Sequence, residues 1–422
     1  MPSDDPPAST RSAAPVVVAG AGIGGLALAL CLHERGVPVR LVERVPELRA
    51  LGVGINILPH AVGVLARLGL EPDLARAGVE TAELAYHNRH GQRIWSEPRG
   101  RAAGHAAPQF SIHRGELQMA LLRAVLDRLG AGALTLGRAV EGFEEDAGGV
   151  SVRLSGGGDP VRAAAFVGAD GIHSAARRRF HPAEGPPVYS QRVLWRAVSE
   201  APPFLTGRSM VMVGHRRQKF VCYPIAPRPA PSGLAVLNWI AELWVPGETP
   251  PREDWNRLAD KASFAPAFAG WGFPWLDVPA LVASAREVYE FPMVDRDPLP
   301  RWSHGRATLL GDAAHPMYPI GSNGASQAVL DADALAEELA RAWPGGDLAG
   351  ALAAYDARRR PATAEVVLAN RRDGPERVMQ MAEERAPGGF ARVEDVFAPG
   401  ELEAVAAAYK RTAGFALAPS AA

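Results

Sequence analysis

The chain has 422 residues, 47% hydrophobic and 22% charged, with 45 basic and 46 acidic side chains for a net charge of −1. That balance points away from nucleic acid or a charged membrane as partner, and the length calls for two or three domains or one large interrupted fold. Only two cysteines occur, Cys31 in an apolar helix pattern and Cys222 in a strand-like run. Both read as small core residues rather than a disulfide or metal pair, as expected in a reducing cytoplasm. No apolar run reaches the roughly 18 residues of a membrane span.

In chain order, residues 1–14 are polar and rich in Pro and Ser, with no apolar core. They read as a disordered tail, not a secretory signal. The segment VVVAGAGIGGLALALCLHERGVPVRLVER follows. Its short apolar run, Val16–Ala19, has the character of a buried parallel strand. Gly20-Ala21-Gly22-Ile23-Gly24-Gly25 then carries the G-x-G-x-x-G spacing. Gly20 permits a tight turn, Gly22 lets the backbone approach a pyrophosphate, and Gly25 lets the next helix pack on the strand. A second strand ends in Glu43, 18 residues past Gly25, with Arg44 beside it. An acid at that spacing suits a free ribose 2′-OH, so the segment reads as a dinucleotide site for NAD or FAD.

Residues 51–70 open with the glycine-rich stretch around Val53 and Gly54 and continue as an amphipathic helix. Arg114 leads a helix pattern with apolar residues at 117, 121, 122 and 125. Alternation in VSVRLS and the apolar AAAFV predict strands before Asp170 and Gly171, a turn dipeptide opening another helix. Five strand-like runs fill 188–294, with a helix pattern over 252–265. The run ATLL then leads into GDAAHPMYPIGSNGA, where Gly311, Asp312, Gly321, Gly324 and Ala325 precede a long helix with one apolar face. Beyond 345 the chain reads as helical, with a break near Gly374-Pro375 and a further helix after Pro399.

The glycine fingerprint, GADGIHSAAR and GDAAHPMYPIGSNGA, in that order, resemble the class A flavoprotein monooxygenases, which are FAD-dependent aromatic hydroxylases. The stretches GVGINILPHAV, SIHRGELQM and NRRDGPERVMQMAEERAPGGF place the likeness nearest to the phenazine-type hydroxylases of pyocyanin biosynthesis. The resemblance implies an α/β fold. A Rossmann-like FAD-binding domain of the glutathione-reductase-like type would span 15–85, 105–185 and 295–345. A mainly antiparallel substrate sheet would span 86–104 and 186–294, and a helical region 346–422.

It further implies that Asp312 bonds the ribityl chain and that the Gly321–Ala325 backbone lies by the flavin pyrimidine edge. Asp170 and Gly171 would support the pyrophosphate, Arg114 the phosphate or ribityl oxygens, and Val140 the adenine through its backbone. Val53 and Gly54 would pass beside the isoalloxazine. The implied reaction uses NADPH or NADH as transient co-substrate, without a second dinucleotide fingerprint. O2 adds at flavin C4a and the hydroperoxide passes one oxygen to an electron-rich phenazine-, quinone- or hydroxybenzoate-like ring. Catalysis is then borne by the flavin, with no Ser/His/Asp constellation, and His315 reads as structural.

Arg196, Tyr223 and Tyr318 are the candidate substrate contacts, since an arginine could pair with a substrate carboxylate. No His/Cys spacing suggests a metal. The alternatives are an epoxidase or oxidase on a non-aromatic substrate and a flavin-binding protein without turnover. A halogenase lacks its motif here, and an NAD-dependent dehydrogenase would leave 311–325 without a purpose. The sequence leaves monomer and homodimer equally open.

Overall fold

The computed structural model describes residues 14–247 and 257–417. The tail expected over 1–14 lies outside these residues except for Ala14.

One layer is a five-stranded sheet in the order Ala307–Leu309, Ala165–Gly168, Val16–Ala19, Val39–Val42, Leu134–Thr135. Every neighbouring pair in it is parallel. The runs VVVA and AFVG inside it and ATL at its edge are buried throughout, as strands covered on both faces must be. Helix Ile23–Glu34 packs with both Arg114–Leu129 and Gly324–Ala342, and all three contribute to the core of this sheet. Val16, Val18, Leu26, Leu30, Leu121, Phe166, Leu309 and Leu335 meet in one buried cluster.

A seven-stranded sheet forms the second layer. Its order is Tyr289–Asp295, Val188–Ala201, Ala235–Trp244, Gln218–Pro224, Ser209–His215, Glu83–His87, Arg93–Pro98. All its pairs are antiparallel except Ser209–His215 with Glu83–His87. The sheet takes its first strand from Glu83, three residues before the expected 86. Residues alternate across it. Trp195, Ala197, Phe220, Cys222, Trp239 and Ala241 point to one face and bury against Phe264, Phe268 and Trp271. The helix expected over 252–265 is not there in its described part. Leu258 instead bridges to Tyr289, and a 3-10 turn covers Lys261–Ser263, capped by Asp260. The turn brings Phe264 onto Trp195 at 4.9 Å between ring centroids, a tertiary demand that outweighs local helical spacing. A short helix, Val278–Ser284, forms nearby behind the Asp277 cap.

Helix Leu348–Arg371 lies along Gly324–Ala342, and its Leu348, Leu352 and Tyr355 join the core of the parallel sheet. No packing boundary therefore falls at 345–346. The chain turns at Asp373, in a left-handed conformation, and resumes as Arg377–Arg385 and Glu401–Thr412. Both cysteines are buried free thiols. Among the described residues no helix is long and apolar enough to cross a membrane, and no group of three or more His, Cys, Asp and Glu could hold a metal ion.

Candidate active site

Three loops leave the carboxyl ends of adjacent parallel strands: after Ala19, after Gly168 and after Leu309. In open α/β sheets that edge is where ligands bind. The loops also touch. A Cβ on Gly20 would stand 2.4 Å from the Ala169 carbonyl oxygen and 3.3 Å from the Asp170 Cα. A Cβ on Gly24 would meet Leu310 at 2.7 Å and Ala328 at 3.3 Å. Gly20, at φ +104°, could not be replaced cheaply on backbone grounds either.

The cluster offers donors without partners. Neither the helix starting at Ile23 nor the one starting at Gly324 has a side-chain cap, so their first N–H groups stay free for an electron-rich ligand. Arg114 is exposed and in no ion pair among the described residues, although its backbone N–H donates to Val53 at 2.9 Å. It acts electrostatically on both Asp312 and Arg196. Asp312 keeps an exposed carboxylate although protein surrounds it, the mark of a group lining a cleft. Desolvation raises its pKa, with His315 and Arg114 opposing. One Asp312 oxygen lies 4.0 Å from where a Gly324 Cβ would be, so the acid and the helix start border the same space.

Asp170 directs one oxygen to the Ala175 N–H at 2.8 Å, while its buried Oδ1 has no partner. Glu43, at the end of the next strand, accepts from the Ala21 N–H at 2.8 Å and the Val45 N–H at 3.1 Å. Its carboxylate therefore borders the first glycine loop. Val140 begins a strand of a separate three-stranded antiparallel sheet and packs against the parallel-sheet core, and nearby the Arg138 N–H donates to the Glu43 carbonyl at 3.0 Å. Arg44 is exposed and in no ion pair among the described residues.

The second layer closes the site through Gly54. Its carbonyl accepts from Arg196 and from Tyr223, both at 2.9 Å, and its N–H donates to Asn238 at 2.7 Å. A Cβ on Gly54 would stand 2.6 Å from the Asn238 Cβ, so only glycine lets the sheet come this close. The inward face around these residues is apolar: Leu194 and Ile240 pack with Tyr318 and Ile320, while Met212 and Val221 belong to the neighbouring cluster. Burial pushes the Tyr223 hydroxyl up to about 12, with Arg196 opposing, so it stays a donor at neutral pH. Tyr318 is likewise raised to about 12 by burial and then by Asp295, and it donates to the Val188 carbonyl at 3.3 Å.

Behind the third loop lie residues that sequence reasoning missed. Asp331 accepts from His315 Nε2 at 2.5 Å, Arg359 Nε at 2.7 Å and the Gly311 N–H at 3.2 Å. Burial works against this charge, yet His315 and Arg359 hold Asp331 below the usual carboxylate range. Beneath Gly321, at φ +68°, Tyr409 bonds Asn323 at 2.8 Å and Asn370 at 2.7 Å. A Cβ on Gly321 would fall 2.1 Å from the Tyr409 hydroxyl. The structure thus unites the fingerprint glycines, Asp170, Arg114, Asp312 and Gly324 at one edge, sets Arg196 and Tyr223 on the facing layer, and places Tyr318 in the third loop, packed against that layer.

Such an edge suits an extended anionic ligand lying across the loops, with an apolar floor opposite. Residues 13–370 match the family model for an FAD binding domain. Phenazine 1,6-dicarboxylic acid hydroxylase PhzS of Lysobacter antibioticus is 46% identical over 380 residues, covering 88% of this chain and 93% of that protein. The 3-amino-4-hydroxybenzoate 2-monooxygenase of Streptomyces cremeus is 34% identical over 376 residues, covering 86% and 89%. Among solved structures, Klebsiella pneumoniae HpxO complexed with FAD and uric acid superposes with a TM-score of 0.71 at 22% identity, over 96% of this chain and 93% of that one. The last agreement speaks for the fold alone. The free helix starts and Arg114, which has no ion pair among the described residues, fit the diphosphate-bearing cofactor named by the family model, and the chain belongs to the FAD-dependent aromatic hydroxylases of the flavoprotein monooxygenase class.

Proposed function

We propose that the protein uses NADPH or NADH and O2 to hydroxylate a planar aromatic substrate of the phenazine type. The observation carrying this reading is the apolar patch of the sheet, Leu194 and Ile240, that packs against Tyr318 and Ile320 of the third loop. The substrate class comes from the relative whose name specifies a phenazine dicarboxylic acid, a match spanning most of both chains.

FAD, when bound, supplies the redox chemistry and the activation of O2. The protein's part is to bind, orient and exclude water. Gly20 to Gly25 and the helix start behind them would cradle the diphosphate, with Asp170 and Gly171 supporting it. Arg114 would bring its planar fork to phosphate or ribityl oxygens, and Asp312 would accept from the ribityl hydroxyls. Glu43, with Arg44 alongside, would serve the adenosine end, and the Val140 backbone the adenine. Val53 and Gly54 would flank the ring system, and Gly311 and the Gly321–Ala325 backbone its polar edge. Tyr318 and Tyr223 would border the substrate. Tyr223, held protonated by burial, keeps its hydroxyl on the Gly54 carbonyl and takes no proton from the ring.

The test is a visible spectrum of the purified protein, followed by NAD(P)H oxidation with phenazine, quinone and hydroxybenzoate candidates. Flavin bands, phenazine-stimulated oxidation and one added oxygen in the product are the expected result. A flavin-loaded protein whose NAD(P)H consumption no aromatic compound stimulates would favour a binding protein without turnover.

A further inference from the structure

On the inward sheet face, alternate residues form rows across the strands. Leu194, Glu242 and Lys219 are cross-strand neighbours, as are Arg196, Ile240 and Val221, and Val198, Asn238 and Tyr223. Charges at one end of this face are balanced. Arg192 pairs with Glu242 at 3.0 Å and Asp373 at 3.3 Å, and Lys219 with Glu242 at 2.8 Å and with Glu376.

Arg196 differs. Its Nη2 bonds the Gly54 carbonyl, its guanidinium lies 5.8 Å from the Phe291 ring centroid, and its buried Nε has no partner. No carboxylate pairs with it among the described residues, and the nearby charge is another cation, Arg114. Burial, with Arg114 adding to it, lowers its pKa against the favourable effect of Tyr223. A desolvated cation in a protein interior is ordinarily paired, and leaving it bare costs free energy. The same face supplies acids for Arg192 and Lys219, so the missing anion is specific to Arg196. Next to it, in the same row, stand the apolar Ile240 and Val221.

We propose that Arg196 is the anion-reading residue of the substrate site, pairing with a carboxylate carried by the aromatic ring, so that the protein selects anionic over neutral rings. This rests on the hydroxylase reading above and narrows its substrate class. The planar fork suits a carboxylate, since two N–H groups can meet two oxygens.

The holoenzyme, with Arg196→Met, Arg196→Lys and Tyr223→Phe variants, would be titrated with phenazine-1-carboxylate and with phenazine. The perturbation of the flavin spectrum reads the dissociation constants, and NAD(P)H oxidation the KM. The pair 4-hydroxybenzoate and phenol is run alongside. Arg196→Met should weaken the carboxylated ligand by about 10- to 100-fold and the neutral one by less than about threefold, as loss of a charge-assisted bond predicts. Arg196→Lys should recover part of the difference. Tyr223→Phe loosens the same Gly54 contact without changing charge, and should affect both ligands alike.

Equal losses for charged and neutral ligands in Arg196→Met would overturn the proposal. So would an altered flavin spectrum or reduction rate without ligand, with ligand preference intact, because Arg196 would then serve the flavin. If the Met variant does not retain FAD, the wild type still decides, since equal affinity for phenazine and its carboxylate removes the claim. Binding confined to the benzoate pair would sink the phenazine assignment and leave the arginine testable on that pair.

Discussion

At the scale of single residues, groups the site does not use are as informative as those it does. His60 has both ring nitrogens buried without a partner and packs on Phe415 at 5.6 Å between centroids. Burial, then Arg359, His105 and Arg99, lowers its pKa from 6.5 to about 3. The folded chain thus keeps His60 neutral where the unfolded chain protonates it. Its contribution to stability is complete above about pH 6.5 and is lost as the pH falls toward 3. His60→Phe should flatten this dependence, which can reach about 1.4 kcal/mol per pH unit. Denaturation midpoints of wild type and variant between pH 7 and pH 4 measure it, and parallel profiles would count against the assignment.

Among elements, the strand-to-loop junctions were readable because their need is local. A tight turn, a close helix and a free helix start each demand glycine at a set spacing, and the sequence carries Gly20, Gly25 and Gly324 there. The strands of the second sheet were readable as apolar runs, but uniformly buried ones such as Ser209–His215 carry no alternation from which to assign a face. Supports of the loops were not. Asn238 meets Gly54 across 184 residues, and Tyr409 meets Asn323 across 86; neither partner leaves a local signature. The 252–265 pattern failed, in its described part, for the related reason that Phe264 serves the sheet before any helix.

Tyr409 also ties the last helix to the third loop, accepting from Asn323 and donating within reach of Ile320 and Asn370. Removing its hydroxyl leaves buried groups short of a partner. Tyr409→Phe should cost about 1–3 kcal/mol and speed FAD release. Thermal denaturation and flavin fluorescence on dilution would read the two effects. A variant with unchanged release would confine the tyrosine to fold stability.

Across the whole molecule, the C-terminal segment is fastened to the sheet by charge. Lys219, Arg192, Glu242, Asp373 and Glu376 are all buried in one network, and Arg216 reaches Asp373 from the rim. Taking one partner away strands a charge. Lys219→Met should destabilise the protein by about 3–5 kcal/mol. Adding Glu376→Gln should cost less in that background than alone, because the stranded acid is removed. Urea denaturation of the four proteins provides the cycle, and strictly additive losses would show that the two side chains do not interact.

The single contact at Gly54 has a consequence for how such a molecule can diversify. Three strands of the sheet hold the backbone of one residue through Arg196, Tyr223 and Asn238. Those positions and the glycine form a joint that tolerates change only if several partners change together. Leu194 and Ile240 carry no such obligation, since they meet the third loop by packing alone. Descendants can therefore exchange these side chains and reshape the floor one substitution at a time, while the hinge between the layers and the loops opposite keep their inherited form.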